Sequence, residues 1–409
     1  MQTVELQDHQ SKPDRVAGGR LFYLDWLRFL VVLSLAPFHA ALSFTGQGVA
    51  YVYEPAVRDA ILHGIPYSGP YAFRLFVLFL DNFFMHLLFF ISGIGVSTAL
   101  QKRSPRAFIS ERANRLLLPT LFGILIVMPA QAWLKALNFG RFSGNFFAFY
   151  PLFFNGIHTS ASSQGNFDWG HLWFLVYLFV FSALGLPLFI RAKEWPLFSD
   201  GRLSSWFSIG GRILYPAFWI GTLEAVFRPG WPGFQNLIND WANFTVYFSF
   251  FIFGFAVGLD RMLLEAIEKR KAMALSLGIT LFFVRIEMLR VLQISGGYSL
   301  LNMAAQFIRG LAAFCLVLAA IGFGKRYLNR GGKTLALARD ESFPLYIMHY
   351  LPLSAATLLL IGSPLSVAAR WTIAVIASWA SVAVFTEIAR RIPPLRSLFG
   401  IRKEWADRA

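Results

Sequence analysis

Two residues on the first apolar stretch of the chain have types and spacing that could carry chemistry. Arg28 and His39 stand eleven positions apart, and at 100° per residue a helix returns to almost the same face over that interval. A rise of 1.5 Å per residue separates them by about 16 Å along one wall. A guanidinium presents a planar donor fork suited to phosphate, whereas an imidazole titrates near neutrality and suits proton transfer. With phosphates on Arg28, a long flexible thioester arm would span roughly the distance to His39. The plainer alternative is that Asp25 and Arg28 pair locally at i,i+3 while His39 hydrogen-bonds a neighbouring helix.

The elements that must position these residues are membrane helices. Hydrophobic residues make up 56% of the chain and charged residues 14%, with a mean hydropathy of +0.54, a balance that excludes a water-soluble globule. Ten apolar stretches, at 27–44, 75–100, 116–137, 172–190, 213–227, 244–259, 274–294, 303–323, 343–361 and 367–388, approach the roughly 20 residues a bilayer core requires. The fifth and sixth are short. Most are too continuous for strands of a membrane barrel, so the expected fold is all-α and polytopic, with about ten transmembrane helices. A tail at 1–20, a single membrane domain at 21–391 and a basic tail at 392–409 make up the expected organisation.

The net charge of +15 comes in clusters between apolar stretches and forms no continuous face for nucleic acid. Lys102, Arg103, Arg106, Arg112 and Arg115 make one cluster and Lys325, Arg326, Arg330, Lys333 and Arg339 another, while alternate connections are nearly free of cations. By the positive-inside rule both termini are cytoplasmic. The N-terminal residues lack the apolar core of a secretory signal, so the first stretch is read as a retained helix. Cys315 is the single cysteine, which rules out an internal disulfide and reads as helix packing.

Other intramembrane ionisable groups need an explanation, because each costs several kcal/mol unless paired or hydrated. Asp81 and His86 lie five apart and face different directions. Arg285, Glu287 and Arg290 interrupt the seventh stretch, where the arginines could take an anionic group or Glu287 and Arg290 could pair. Glu224 and Arg309 have no assigned role. The seven histidines are scattered, no Cys/His set has metal spacing, and no Gly-x-Ser-x-Gly turn occurs. No metal and no permanently bound cofactor are expected. The long connections at 46–71 and 138–170 are rich in Gly, Ser, Asn, Phe and Tyr, suited to a sugar-like acceptor or to anchoring at the headgroups.

Asp25-Trp26-Leu27-Arg28, ten residues and His39 resemble the Arg-x10-His signature of the acyltransferase 3 family, multi-pass bacterial membrane proteins that acylate extracytoplasmic glycans. Phe89-Phe90-Ile91-Ser92-Gly93 looks like that family's Phe-Phe-x-Ser-Gly segment, and Arg112-Ala113-Asn114-Arg115 with Pro119 looks like its basic motif. His171-Leu172-Trp173-Phe174-Leu175 matches a common fourth-helix entry, and Ser342, Tyr346 and His349 fit a Ser-x-x-x-Tyr-x-x-His segment. The wording around Tyr23 and His171 is most similar to the branch containing glucans biosynthesis protein C, associated with succinylation of periplasmic glucans.

The resemblance implies acyl-CoA as co-substrate at the cytoplasmic face of the bacterial inner membrane and a glycan hydroxyl as acceptor outside. Arg28, Arg112 and Arg115 would hold donor phosphates. His39 would act as general base or as an acylated nucleophile, with Asp25 supporting Arg28. Asp81, His86, Arg285, Arg290, Tyr346 and His349 are candidates for substrate contact or for structure, His349 more for structure, and His171 is expected at the outer interface. The expected partners are membrane lipids, acyl-CoA and the glycan; oligomeric state is left open. The rival class is a proton-coupled transporter or anion permease, which would use the same buried charges and favour broken helices at matching positions of two halves. A subunit that has lost activity is a third reading.

Overall fold

Helix α1 (Phe22–Thr45) buries 14 of its 24 residues, the condition of an apolar helix packed within a bundle. Gly46 closes it: a φ of 64° carries the backbone through the left-handed region and returns its N–H to Leu42 O. The computed structural model describes residues 21–67, 69–157, 165–192, 195, 201–233, 235–294 and 296–401. The expected tail at 1–20, and 402–409 of the other, lie outside the described residues.

Beyond α1 come a short helix α2 (Pro55–His63), then α3 (Tyr71–Asp81) and α4 (Phe84–Lys102), which share one crossing. α5 (Pro105–Phe122) continues through a π-turn at Gly123–Val127 into α6 (Met128–Asn138). Pro119 lies one turn before that π-turn and supplies no N–H, so the regular ladder is already interrupted there. α7 (Phe146–Phe153) precedes α8 (Trp173–Ala192), which a 3-10 turn at Gly170–Leu172 introduces. α9 (Arg202–Ser208), α10 (Pro216–Phe227), α11 (Trp241–Leu259), α12 (Arg261–Leu292) and α13 (Leu300–Tyr327) follow. α14 (Lys333–Met348) and α15 (Tyr350–Leu360) bend by 57° at their junction, and α16 (Val367–Arg391) and α17 (Pro393–Leu398) end the described chain.

Among the described residues eight segments are long and apolar enough to cross a membrane, or nine with the bent pair α14 and α15. The chain is thus an all-α polytopic membrane protein. The stretch expected at 213–227 forms α10, only 12 residues long, with a 3-10 turn at Arg212–Leu214 ahead of it. It falls short of a full crossing by itself. Arg285, Glu287 and Arg290 do not interrupt their helix: α12 runs through them for 32 residues. Of the expected basic tail, 393–401 packs back, with Phe399 1% exposed against Phe122 and Phe385.

Trp26 Nε1 donates to Arg330 O at 3.1 Å, and Arg390 pairs with Glu341 at 2.5 Å. The start of α1 and the end of α16 therefore lie at the same end of the bundle as the start of α14, an end rich in arginine. At the opposite end the side-chain amide of Asn138 exchanges two hydrogen bonds with the backbone of Tyr53, at 2.9 and 3.0 Å. Glu54 pairs with Arg370 at 2.7 Å there, which ties the segment after α1 to α6 and α16.

Close helix contacts in a bilayer depend on small residues, since lipid is as apolar as leucine and supplies no drive to associate. α4 and α11 meet through Gly93, Gly254 and Gly258. A Cβ on Gly93 would lie 2.0 Å from Phe251 O, and one on Gly254 would lie 2.0 Å from Phe90 O. The glycine of the Phe-Phe-x-Ser-Gly segment thus serves backbone approach. Gly254→Ala is expected to destabilise the protein by about 1–3 kcal/mol through overpacking. Gly95→Ala, with nothing within 4 Å of the added carbon, is expected to leave it unchanged or slightly more stable. Unfolding midpoints in detergent for the two variants measure the difference, and equal shifts would contradict this packing.

Candidate active site

Pro352 sits on the third residue of α15 and offers no N–H to Met348 O, while its ring crowds that carbonyl. The helix breaks there, leaving His349 at the corner. Ser378 Oγ of α16 donates to His349 O at 2.6 Å, a second bond to a carbonyl that also accepts from Leu353 N–H at 3.3 Å. His349 Nδ1 faces two acceptors, Leu345 O at 2.9 Å and Tyr346 O at 3.0 Å. Carbonyls accept, so Nδ1 carries the proton, and the neutral ring keeps its lone pair on Nε2.

His39 of α1 lies beside this ring. Their centroids are 5.3 Å apart, and Tyr350 stacks on His39 at 4.1 Å. His171 meets His349 edge-on, at 5.2 Å. Its Nε2 is 3.0 Å from Ile347 O, so that nitrogen donates and Nδ1 keeps the lone pair. Tyr346 OH donates to His171 O, which fixes the entry to α8. His39 Nδ1, His171 Nδ1 and His349 Nε2 are all buried without a hydrogen-bond partner among the described residues. Buried polar atoms normally have partners, so three open imidazole nitrogens in one place can take a hydroxyl donor. Among the described residues no group of three His, Cys, Asp or Glu is arranged to hold a metal ion.

The arginine end is built differently. Arg28 pairs with Asp25 at 3.4 Å, with their side chains 41% and 15% exposed. Arg112 and Arg115 of α5 lie within electrostatic reach of Arg28. Arg112 stacks over Phe108 at 5.3 Å, and Glu111 takes both Arg115, at 3.2 Å, and Arg103, at 2.7 Å. Several guanidiniums converge here with fewer carboxylates, an arrangement suited to a polyphosphate. Between the two ends, Val32 and Leu35 continue the stripe from Arg28 to His39 and are 4% and 3% exposed. The wall is continuous, and neighbouring helices cover its middle.

The remaining candidates gather elsewhere. Asp81 pairs with Arg309 of α13 at 3.2 Å, and Arg309 also lies 3.6 Å from Glu224. Arg228 grips Glu224 with two bonds of 2.8 and 2.9 Å. Arg285 is within electrostatic reach of this network. His86 stands edge-on to Tyr247 and Phe250, fully buried. The rings of Tyr247, Trp173, Phe89 and Phe174 lead from His86 to Tyr346. Arg290 is exposed and pairs with Glu287 at 2.6 Å. The structure therefore gathers His39, Tyr346 and His349 at one place and Asp25, Arg28, Arg112 and Arg115 at another. Asp81, His86, Arg285 and Arg290 belong to neither. His171, Tyr350 and Ser378 are members of the histidine cluster that sequence reasoning did not place there; His171 sits inside it and is 7% exposed.

Compared with known families, the chain matches the acyltransferase 3 model, described as an acyltransferase domain, over residues 21–389. It belongs to that family and is a membrane acyltransferase. No curated protein and no solved structure matches it. Ser378→Ala, which leaves the His349 carbonyl with only the N–H of Leu353, is expected to lower acyl transfer by about tenfold through misplacement of His349, with membrane insertion unchanged. Wild-type turnover by this variant would show that the corner does not position the ring.

Proposed function

We propose that this protein is an O-acyltransferase of the bacterial inner membrane that moves an acetyl or succinyl group from cytoplasmic acyl-CoA to a hydroxyl of an extracytoplasmic glycan. The observation that carries the reading is the shared wall of α1, with Arg28 among other guanidiniums at the arginine-rich end and His39 beside open imidazole nitrogens further in. By the distribution of cations the arginine-rich end is cytoplasmic. The donor's phosphates bind Arg28, Arg112 and Arg115, and Asp25 orients Arg28.

The thioester arm reaches His39 when the contacts over Val32 and Leu35 part. His39 takes the proton of the acceptor hydroxyl as its oxygen attacks the thioester carbonyl. The C–S bond breaks, and the thiolate leaves with the proton returned from His39. The products are an ester and free CoA. The same geometry serves an acyl-histidine route, in which the thioester first acylates His39 and the hydroxyl then takes the acyl group.

Protein in lipid, supplied with labelled acetyl- or succinyl-CoA and a glycan, tests the assignment. His39→Ala is expected to lower transfer by about 10²–10⁴-fold, and near-normal acylation would defeat it. Arg28→Gln is expected to raise KM for acyl-CoA by about tenfold or more. It should do little to an acyl-pantetheine that lacks the nucleotide phosphates; equal effects on both donors would remove Arg28 from phosphate binding. Flux of substrate with no covalent product would favour the transporter class.

A further inference from the structure

Between α6, α7 and the segment entering α8, at the end opposite the arginines, lies a cavity of about 160 Å³. Lys135, Arg141 and Asp168 supply its charge, and Tyr51, Phe142 and Phe149 supply aromatic walls. Lys135 and Asp168 interact through the intervening space, yet neither makes an ion pair within 4.0 Å among the described residues. One Asp168 oxygen accepts from Gly170 N–H at 2.8 Å, and Arg141 lies over Phe139 at 5.2 Å. Two cations facing one carboxylate leave the space net positive. Both signs of charge stay available to a guest.

Tyr51 connects this space to the imidazoles. Its ring meets Tyr350 at 5.0 Å, and Tyr350 stacks on His39. Gly170 packs so closely that a Cβ there would lie 2.1 Å from the Tyr51 hydroxyl. Burial, and after it the Asp168 carboxylate, pushes the Tyr51 phenol up, so it remains a hydrogen-bond donor. A space of this size is on the scale of a single sugar ring.

We propose that this cavity is the acceptor subsite and that it selects an anionic sugar, a hydroxyl-bearing ring with a carboxylate or phosphate. The anion rests between Lys135 and Arg141, the edge-to-face pair Phe142 and Phe149 forms one wall against the ring, and the reacting hydroxyl points past Tyr51 toward His39. The proposal rests on the acyl-transfer reading for the fate of that hydroxyl, and binding can be measured separately from transfer.

Glucuronate, glucose 6-phosphate and glucose are the probes, titrated calorimetrically at low salt into the full chain in lipid nanodiscs. Both anionic sugars are expected to bind on the order of tenfold more tightly than glucose. Lys135→Met should erase that preference, Lys135→Arg should keep it, and Asp168→Asn should widen it. Equal binding of glucose and glucuronate, or a preference that survives Lys135→Met, would overturn the proposal. Inorganic phosphate binding as tightly as glucose 6-phosphate would also overturn it, by showing an anion site with no use for the ring. Charge-selective binding without any transfer from acyl-CoA would leave the subsite standing and remove the acyl-transfer reading. Transfer to glucose and glucuronate with equal KM would do the reverse.

Discussion

The backbone hydrogen bonds of α1 set the distance between Arg28 and His39, and no side-chain rearrangement can shorten it. Everything else in the arrangement answers to that ruler. Because α1 packs its 32–39 face against other helices, His39 meets protein and not lipid, where it would be costly. Pro37, two residues before His39, deprives the Leu33 carbonyl of its partner within the helix. Trp371 of α16 donates its indole N–H to Pro37 O at 3.0 Å. The helix that anchors α1 just before its histidine is thus the helix whose Ser378 holds the carbonyl of His349. One neighbour places both rings.

The two ends of the wall obey different electrostatics. At the arginine end the side chains are partly solvated, so their hold on an anion depends on multiple donors and weakens with salt. Around His39 the medium is protein and aromatic rings, and direction matters more than net charge. There the tautomers of His349 and His171 are set by backbone carbonyls, which cannot rotate away, and each ring is left with one acceptor nitrogen. A site of this kind discriminates a donor hydroxyl from a solute without one, since only the former satisfies those nitrogens.

The 28-to-39 spacing was legible from helix periodicity alone, because both residues share one uninterrupted helix. The apolar stretches located the crossings but misjudged their ends. α5 begins at Pro105, α12 at Arg261 and α14 at Lys333, and in each case the basic first turns are helical although hydropathy detects only the part meant for lipid. Arg285 and Arg290 were read as an interruption for the same reason. The histidine cluster was only half visible. Tyr346 and His349 carried a motif, but the approach of His171, some 176 residues from its carbonyl partner Ile347, comes from packing of the turn ahead of α8 against the bent pair. Pro352 was the one local sign of that bend. Likewise the partner of Asp81 is Arg309, 228 residues away, a pairing no local pattern encodes.

The glycine seam between α4 and α11 has a mechanical consequence. Backbones that touch cannot slide or part without losing many contacts at once, so these two helices behave as a single stiff plank. The bent pair α14 and α15 meets α1 across a corner where Pro352 has already removed one regular hydrogen bond, the one to Met348 O. If something must slip past Val32 and Leu35, the yielding partner is this jointed side, and the plank is the fixed jaw against which it opens.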